Sequence, residues 1–321
     1  MKVKHKFLIV LASVILMICL IVGIDEILSF NDFNYVIDTD TNTVIITGIN
    51  TSRSNITIPK KINGKAVTSI GDYAFKDNES INSVTFPDTI SYIGKGAFYN
   101  CSNLLMIYNL SHCVGLKAIE NETFYNCKRL RRITLPDNLE VIKNSAFKSC
   151  HKLQKLTIPN SVSSIGKQAF DNCQSIKEFI VPKGITKIEE KAFFSCLSLE
   201  SIILPEGLID IGEAAFANCY ELEAIAIPST VETIGKQAFT SCKALSSITI
   251  PKGVNTIGYS AFYECALLES VIFESIEGWQ CAFAETDTSG TSISATDLAD
   301  STKAAKYLTS NYAAYYWSYT K

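Results

Sequence analysis

A repeat of 23 residues constrains this chain more than any other feature. All eight prolines lie on it, at Pro59, Pro87, Pro136, Pro159, Pro182, Pro205, Pro228 and Pro251, and the last six are spaced 23 apart. Nine phenylalanines keep the same step, with one interval of 26: Phe75, Phe98, Phe124, Phe147, Phe170, Phe193, Phe216, Phe239 and Phe262. Eight cysteines do likewise, at Cys101, Cys127, Cys150, Cys173, Cys196, Cys219, Cys242 and Cys265. A fixed period of this length is the signature of a solenoid, in which each unit buries its apolar face only against its neighbours.

One unit shows the design. Leu156-Thr157-Ile158 alternates apolar, polar and apolar, as a short strand with one buried face does, and Pro159 stops it. Ala169, Phe170, Cys173 and Ile176 then fall one to four residues apart, which fits a short helical or 3-10 turn. Stacked strand beside strand at about 4.8 Å, nine units over residues 53–265 make a rod roughly 40–50 Å long. Two irregularities stand out. Five extra residues surround the turn signal Asn63-Gly64-Lys65, and the unit between Cys101 and Cys127 carries Cys113 where its proline would fall. Both insertions are expected to bulge outward.

The pattern L-x-x-I-x-I-P-x-x-V-x-x-I-G-x-x-A-F-x-x-C resembles the BspA-type, or Treponema pallidum-type, leucine-rich repeat. The flanks are also similar to that family. Thr43-Val44-Ile45-Ile46-Thr47-Gly48 with Ile56-Thr57-Ile58-Pro59 resembles its N-terminal strand pair. Gly278-Trp279, Asp297-Leu298, Ala304–Leu308 and Tyr315-Tyr316-Trp317 resemble a closing module. The resemblance implies a right-handed α/β-type leucine-rich repeat solenoid with short parallel strands on its concave face. It also implies a bacterial surface protein, in some relatives an adhesin for host matrix proteins or cells. The expected organisation is a signal peptide or membrane anchor over 1–29, an N-terminal strand cap over 30–52, the solenoid over 53–273 and a C-terminal cap over 274–321. Residues 301–312 read as a helix within that last cap, starting near Asp300-Ser301.

The start of the chain reads as an export segment. Lys2, Lys4 and Lys6 precede 18 uncharged, mostly apolar residues from Phe7 to Ile24. That run is long for a cleavable signal and close to a membrane span, so a cleaved leader and an uncleaved anchor both stand. Basic residues on its N-terminal side place the rest of the chain outside the cell in either case.

Catalysis finds no foothold. Three histidines (His5, His112, His151) and no G-x-S-x-G, H-E-x-x-H or phosphate-loop pattern leave no catalytic set to name. The cysteine column lacks the paired spacing of a zinc site, so neither metal nor cofactor is expected. Parallel side chains in a stacked column hold Cβ atoms near 4.8 Å, beyond disulfide range, so the thiols are expected buried and free. A net charge of −3 gives no reason to expect nucleic acid as a partner. The expected partner is a protein, whether host matrix or another cell-surface protein, or a glycan, bound by a monomeric solenoid. The alternative is a self-associating surface scaffold.

Candidate contact residues lie on the strand face. Two before each proline the outward column reads Thr57, Thr85, Thr134, Thr157, Ile180, Ile203, Ala226 and Thr249. Charge sorts along the same axis. Lys128, Arg129, Arg131, Arg132, Lys143, Lys148, Lys152 and Lys155 form a basic half, and residues 197–232 carry seven acids and no lysine or arginine. Arg131, Arg132, Thr134, Lys155, Thr157, Glu178, Ile180, Glu200, Ile203, Glu223 and Ala226 are therefore the candidate partner-binding residues. The phenylalanine and cysteine columns are assigned to the core. Phe170→Ala should accordingly cost about 3–5 kcal/mol, read as a shift of the urea unfolding midpoint. Wild-type stability in that variant contradicts a stacked core.

Overall fold

A computed structural model describes residues 32–285 and 290–320. The expected export segment lies outside the described residues. Among the described ones no helix is long and apolar enough to cross a membrane.

The chain winds as a solenoid of ten rungs. Nine are three- or four-residue strands, first Asn55–Thr57 and last Ser270–Phe273, and the tenth is an isolated bridge from Ser201 to Ala224. Neighbouring rungs run parallel and in register, as where Arg132, Ile133 and Thr134 face Lys155, Leu156 and Thr157. The middle residue of each rung points inward, and the outer two of most rungs are exposed or half-buried.

Sequence patterning missed a second ladder. The V-x-x-I-G segment of each unit forms a two-residue strand, from Tyr92–Ile93 through Ser164–Ile165 to Thr256–Ile257. Where a glycine follows it, that glycine packs directly against the turn before. A Cβ on Gly235 would lie 2.7 Å from the carbonyl carbon of Gly212 in the turn before, so any side chain there pushes two turns apart.

The Ala-Phe-x-x-Cys segment is a wall of turns, a more specific arrangement than a helical or 3-10 turn. The amides of Ala169, Asp171 and Cys173 bond three residues back, to the carbonyls of Gly166, Gln168 and Phe170. The alternate amides of Gln168, Phe170 and Asn172 donate instead to Glu190, Ala192 and Phe194 in the next turn, at 2.7–3.0 Å. A helix would keep all of these amides to itself. Sending every second one along the axis requires left-handed backbone on either side of the phenylalanine, as at Gln168 (φ 56°) and Asn172 (φ 62°). Asparagine tolerates that region well, which accounts for the Asn-Cys pairs at 100, 126, 172 and 218. The only 3-10 helix in the repeats is Leu110–His112, inside the irregular unit. There Cys113 takes the structural place of proline and is buried, while of the residues before it Leu110 is buried and Tyr108, Asn109 and His112 stay exposed. The other insertion becomes a hairpin, Lys61–Ile62 against Lys65–Ile70, turning through Asn63 (φ 50°) and Gly64 (φ 77°).

Phenylalanines fill the core behind the wall. From Phe98 to Phe262 successive rings stack with centroids 5.2–5.6 Å apart and planes within 17°. Phe33 closes the N-terminal end of this column, edge-on to Phe75 at 6.5 Å. Each thiol of the cysteine column donates to the carbonyl of the phenylalanine one turn earlier, at 3.0–3.3 Å from Cys101 through Cys265. Phe147 shows the consequence: its oxygen accepts both the Cys150 amide and the Cys173 thiol, each at 3.1 Å. The first unit has no earlier turn to supply a carbonyl. Asn78 stands there in place of cysteine, its side chain accepting from the Ser80 and Ile81 amides of its own turn.

Both ends of the second ladder are closed. Phe33–Asp38 pairs antiparallel with Thr43–Ile49, which lies parallel against Lys65–Ile70. The N-terminal pair is thus 33–38 with 43–49, and Ile56 belongs to the first rung of the main ladder. At the other end Tyr316–Tyr319 runs antiparallel to Thr256–Ile257 and to Trp279–Ala282. Helices Ala295–Ala299 and Ser301–Lys306 pack on the last rung, Ser270–Phe273, and Asp300 caps the second by accepting from the Thr302 and Lys303 amides. Trp279 and Trp317 are fully buried there, so these aromatics belong to the closing core.

Burial pushes the thiols up from an ordinary value near 9, to about 12 for Cys101 and Cys265 and about 11 for Cys113. The folded state therefore favours the neutral thiol, so this contribution is complete below pH 9 and is lost as pH rises towards 11–12. The urea midpoint of the 32–320 fragment should hold from pH 7 to 9 and fall steeply above it, with thiol reagents reacting only after unfolding. Rapid labelling at pH 8 without urea contradicts a buried donor column.

Candidate functional site

The side chains that could contact a partner stand on the outward positions of the main ladder and on the short segment leading into each rung. Strand geometry sets this: the middle residue is committed to the core, leaving its neighbours to face solvent. Arg131, Arg132, Thr134, Lys155, Thr157, Glu178, Ile180, Glu200, Ile203, Glu223 and Ala226 all lie on this one face, exposed except for the half-buried Glu200. The parallel register brings them into columns. Arg132 is directly beside Lys155, and Glu178 and Ile180 are beside Ser201 and Ile203.

Ile180 is 66% exposed and Ile203 61%, with Ala226 one turn further on. The same column continues to Ile272, which is 55% exposed and pairs with Thr249. Counting backwards from prolines overlooked Ile272, because its turn has Glu274 in the proline position; counting forwards from Leu268 would have found it. A shallow groove opens beside this column, lined by Ala224, Ala226, Ser247, Thr249 and Ile272. It coincides with an interruption of the main ladder, which divides into sheets of rungs 55–157, 178–203 and 247–273.

The eight basic residues do not form one cluster. Lys143 is paired with Glu120 at 2.7 Å on the second ladder, and Lys148 with Asp171 at 2.8 Å on the wall of turns. The other six, Lys128, Arg129, Arg131, Arg132, Lys152 and Lys155, are exposed on two consecutive turns and make no ion pair among the described residues. Lys152 donates its amide to the Lys128 carbonyl, so these two lysines stand one above the other. His151 sits among them, half-buried, and its charged form is disfavoured by burial and then by Lys128 and Lys152. On the acidic side Glu200 is tied to Lys177 at 2.5 Å, whereas Glu221 and Glu223 have no cationic partner among the described residues. Unpaired cations at neighbouring positions repel at a cost of a few tenths of a kcal/mol each, a cost that a bound anionic group would relieve.

Among the described residues no group of three or more His, Cys, Asp or Glu is placed to hold a metal ion. No buried side-chain nitrogen or oxygen there lacks a hydrogen-bond partner. The ten described cysteines are free and buried, with thiols committed to the core.

The chain matches the BspA type leucine rich repeat region over residues 49–177 and 163–287, in six copies. Several solved structures are similar, two of them as follows. The leucine rich repeat protein of T. pallidum is 31% identical over 60% of this chain and 88% of its own, with a TM-score of 0.56. A leucine-rich repeat protein from Bacteroides ovatus is 28% identical over 76% of this chain and 70% of its own, with a TM-score of 0.60. None of the curated proteins matches the chain. With its repeats covered almost end to end by that match, the chain belongs to the BspA type leucine-rich repeat family, whose fold serves as a scaffold for protein interaction.

Proposed function

We propose that this chain is an exported bacterial surface protein that binds another protein, on a second cell or in host matrix, through its strand face. The observation that carries the reading is the line of exposed isoleucines at 180, 203 and 272. Threonine occupies this column in most other turns and satisfies strand propensity equally well, so isoleucine adds apolar area without any gain to the fold. The basic turns before Ile180 and the acidic turn after Ile203 would orient a partner and speed its approach. The basic-then-apolar run over residues 2–24 supports export. Two bacterial relatives with the same fold agree with a bacterial setting.

A second reading, self-association into a surface scaffold, draws on the N-terminal edge strand. Val36 and Ile37 are 50% and 44% exposed on Phe33–Asp38, which has a partner on one side only among the described residues. Light scattering across a concentration series separates the two readings: growth that Val36→Lys abolishes favours the scaffold.

For the leading reading, the 32–320 fragment is immobilised and exposed to matrix proteins and whole bacterial cells. Ile180→Asp with Ile203→Asp should weaken capture at least tenfold with an unchanged urea midpoint. Arg131→Glu with Arg132→Glu should weaken it and flatten its dependence on salt. Undiminished capture by both variants removes the strand face from consideration.

A further inference from the structure

The charges on the strand face are ordered, and their order describes a ligand. One column, on the segment leading into each rung, reads Arg131, Gln154, Lys177, Glu200, Glu223 over five successive turns. The next column reads Arg132, Lys155, Glu178, Ser201, Ala224, and the outward strand column reads Thr134, Thr157, Ile180, Ile203, Ala226. Lys177 and Glu200 neutralise each other at 2.5 Å in the middle. Without an ion pair among the described residues are a cationic end at Arg131, Arg132 and Lys155, a centre where Glu178 accompanies the exposed Ile180 and Ile203, and an anionic end at Glu221 and Glu223.

We infer that this face binds an extended polypeptide segment lying along the solenoid axis, acidic at one end, apolar in its middle and basic at the other. The inference rests on the strand-face reading above and names the chemistry of its partner. Spacing sets the length. Arg131 and Glu223 are four turns apart, about 19 Å at about 4.8 Å per rung, which an extended chain covers in about six residues. A segment lying along the axis crosses the rungs instead of running beside them as a new strand, so its recognition falls to the side chains of successive rungs.

Other polyanions fit less well. A long nucleic acid or sulfated polysaccharide following the axis would run from the six cations directly onto Glu178, Glu200, Glu221 and Glu223. The patch is also poor in the interleaved aromatic side chains on which single-stranded bases stack, its rings being the half-buried His151 and Tyr108 on the rung before.

The test uses the 32–320 fragment and a fluorescein-labelled octapeptide, Asp-Asp-Ser-Leu-Leu-Ser-Lys-Lys, read by anisotropy in low and physiological salt. Binding should fall at least tenfold when both leucines are replaced by serine, or when the charges are scrambled to alternate. The protein variant Arg131→Glu/Arg132→Glu/Lys155→Glu should lose the peptide at least tenfold and keep its urea midpoint. That variant should regain binding to Lys-Lys-Ser-Leu-Leu-Ser-Lys-Lys, a rescue that a merely unfolded protein does not give. Equal binding of the ordered and scrambled peptides overturns the inference, as does tighter binding of a heparin octasaccharide than of the peptide. If no peptide binds while Ile180→Asp with Ile203→Asp still lowers capture of matrix or cells, the inference fails and the strand-face reading survives. If that variant and Arg131→Glu with Arg132→Glu both capture normally, both fail.

Discussion

The axial hydrogen bond from every second amide of the Ala-Phe-x-x-Cys turns holds this solenoid together. It binds each turn to the next along a line that runs without interruption from Phe75 to Ala261. Both strand ladders, by comparison, are interrupted. The phenylalanine stack lies against this wall and the thiol column is bonded into it, so one set of carbonyls serves amides of their own turn and thiols of the next. Thiol is the fitting group at that position. It fills the space of a small apolar side chain and still donates a weak hydrogen bond, without the desolvation cost of a hydroxyl or an amide. A disulfide between turns would remove two donors and gain no chain closure that the stack does not already supply.

That division of labour frees the strand face. With axial cohesion carried by the wall, the outward positions of the rungs are free to vary, and the main ladder tolerates a gap at Ala224–Ala226 without loss of register further on. The units are therefore uniform where they touch each other and individual where they face solvent. Isoleucines, arginines and glutamates that contribute nothing to the core gather on that individual side, which is where selection for a partner would leave its mark.

Closure of the ends follows from the same constraint. A stack of identical turns presents unpaired strands and an open core at each end, and both must be covered. The N-terminal hairpin and Phe33 cover one end, and the strand Tyr316–Tyr319, two tryptophans and a pair of helices cover the other. The substitution of Asn78 for cysteine in the first unit is the same boundary condition expressed in one side chain.

Read alone, the sequence determined the period, the inward residues, the stopping prolines and the family, because a 23-residue repeat allows few ways to bury Phe, Leu and Ile together. It also placed the exposed columns at the right residues, since strand alternation is a local rule. The tertiary structure decided what local rules cannot reach. The second ladder was hidden because two residues are too short to show alternation, although the following glycine, crowded by the turn beneath it, was its mark. The turns looked helical because their apolar spacing is nearly that of a helix, and only neighbouring carbonyls draw alternate amides outward. The basic half divided into a free patch and two internally paired lysines, Lys143 and Lys148, because side chains adjacent in sequence leave the solenoid on different faces. Charge order across five turns is likewise a property of the stack: residues 23 apart become neighbours only once it has formed.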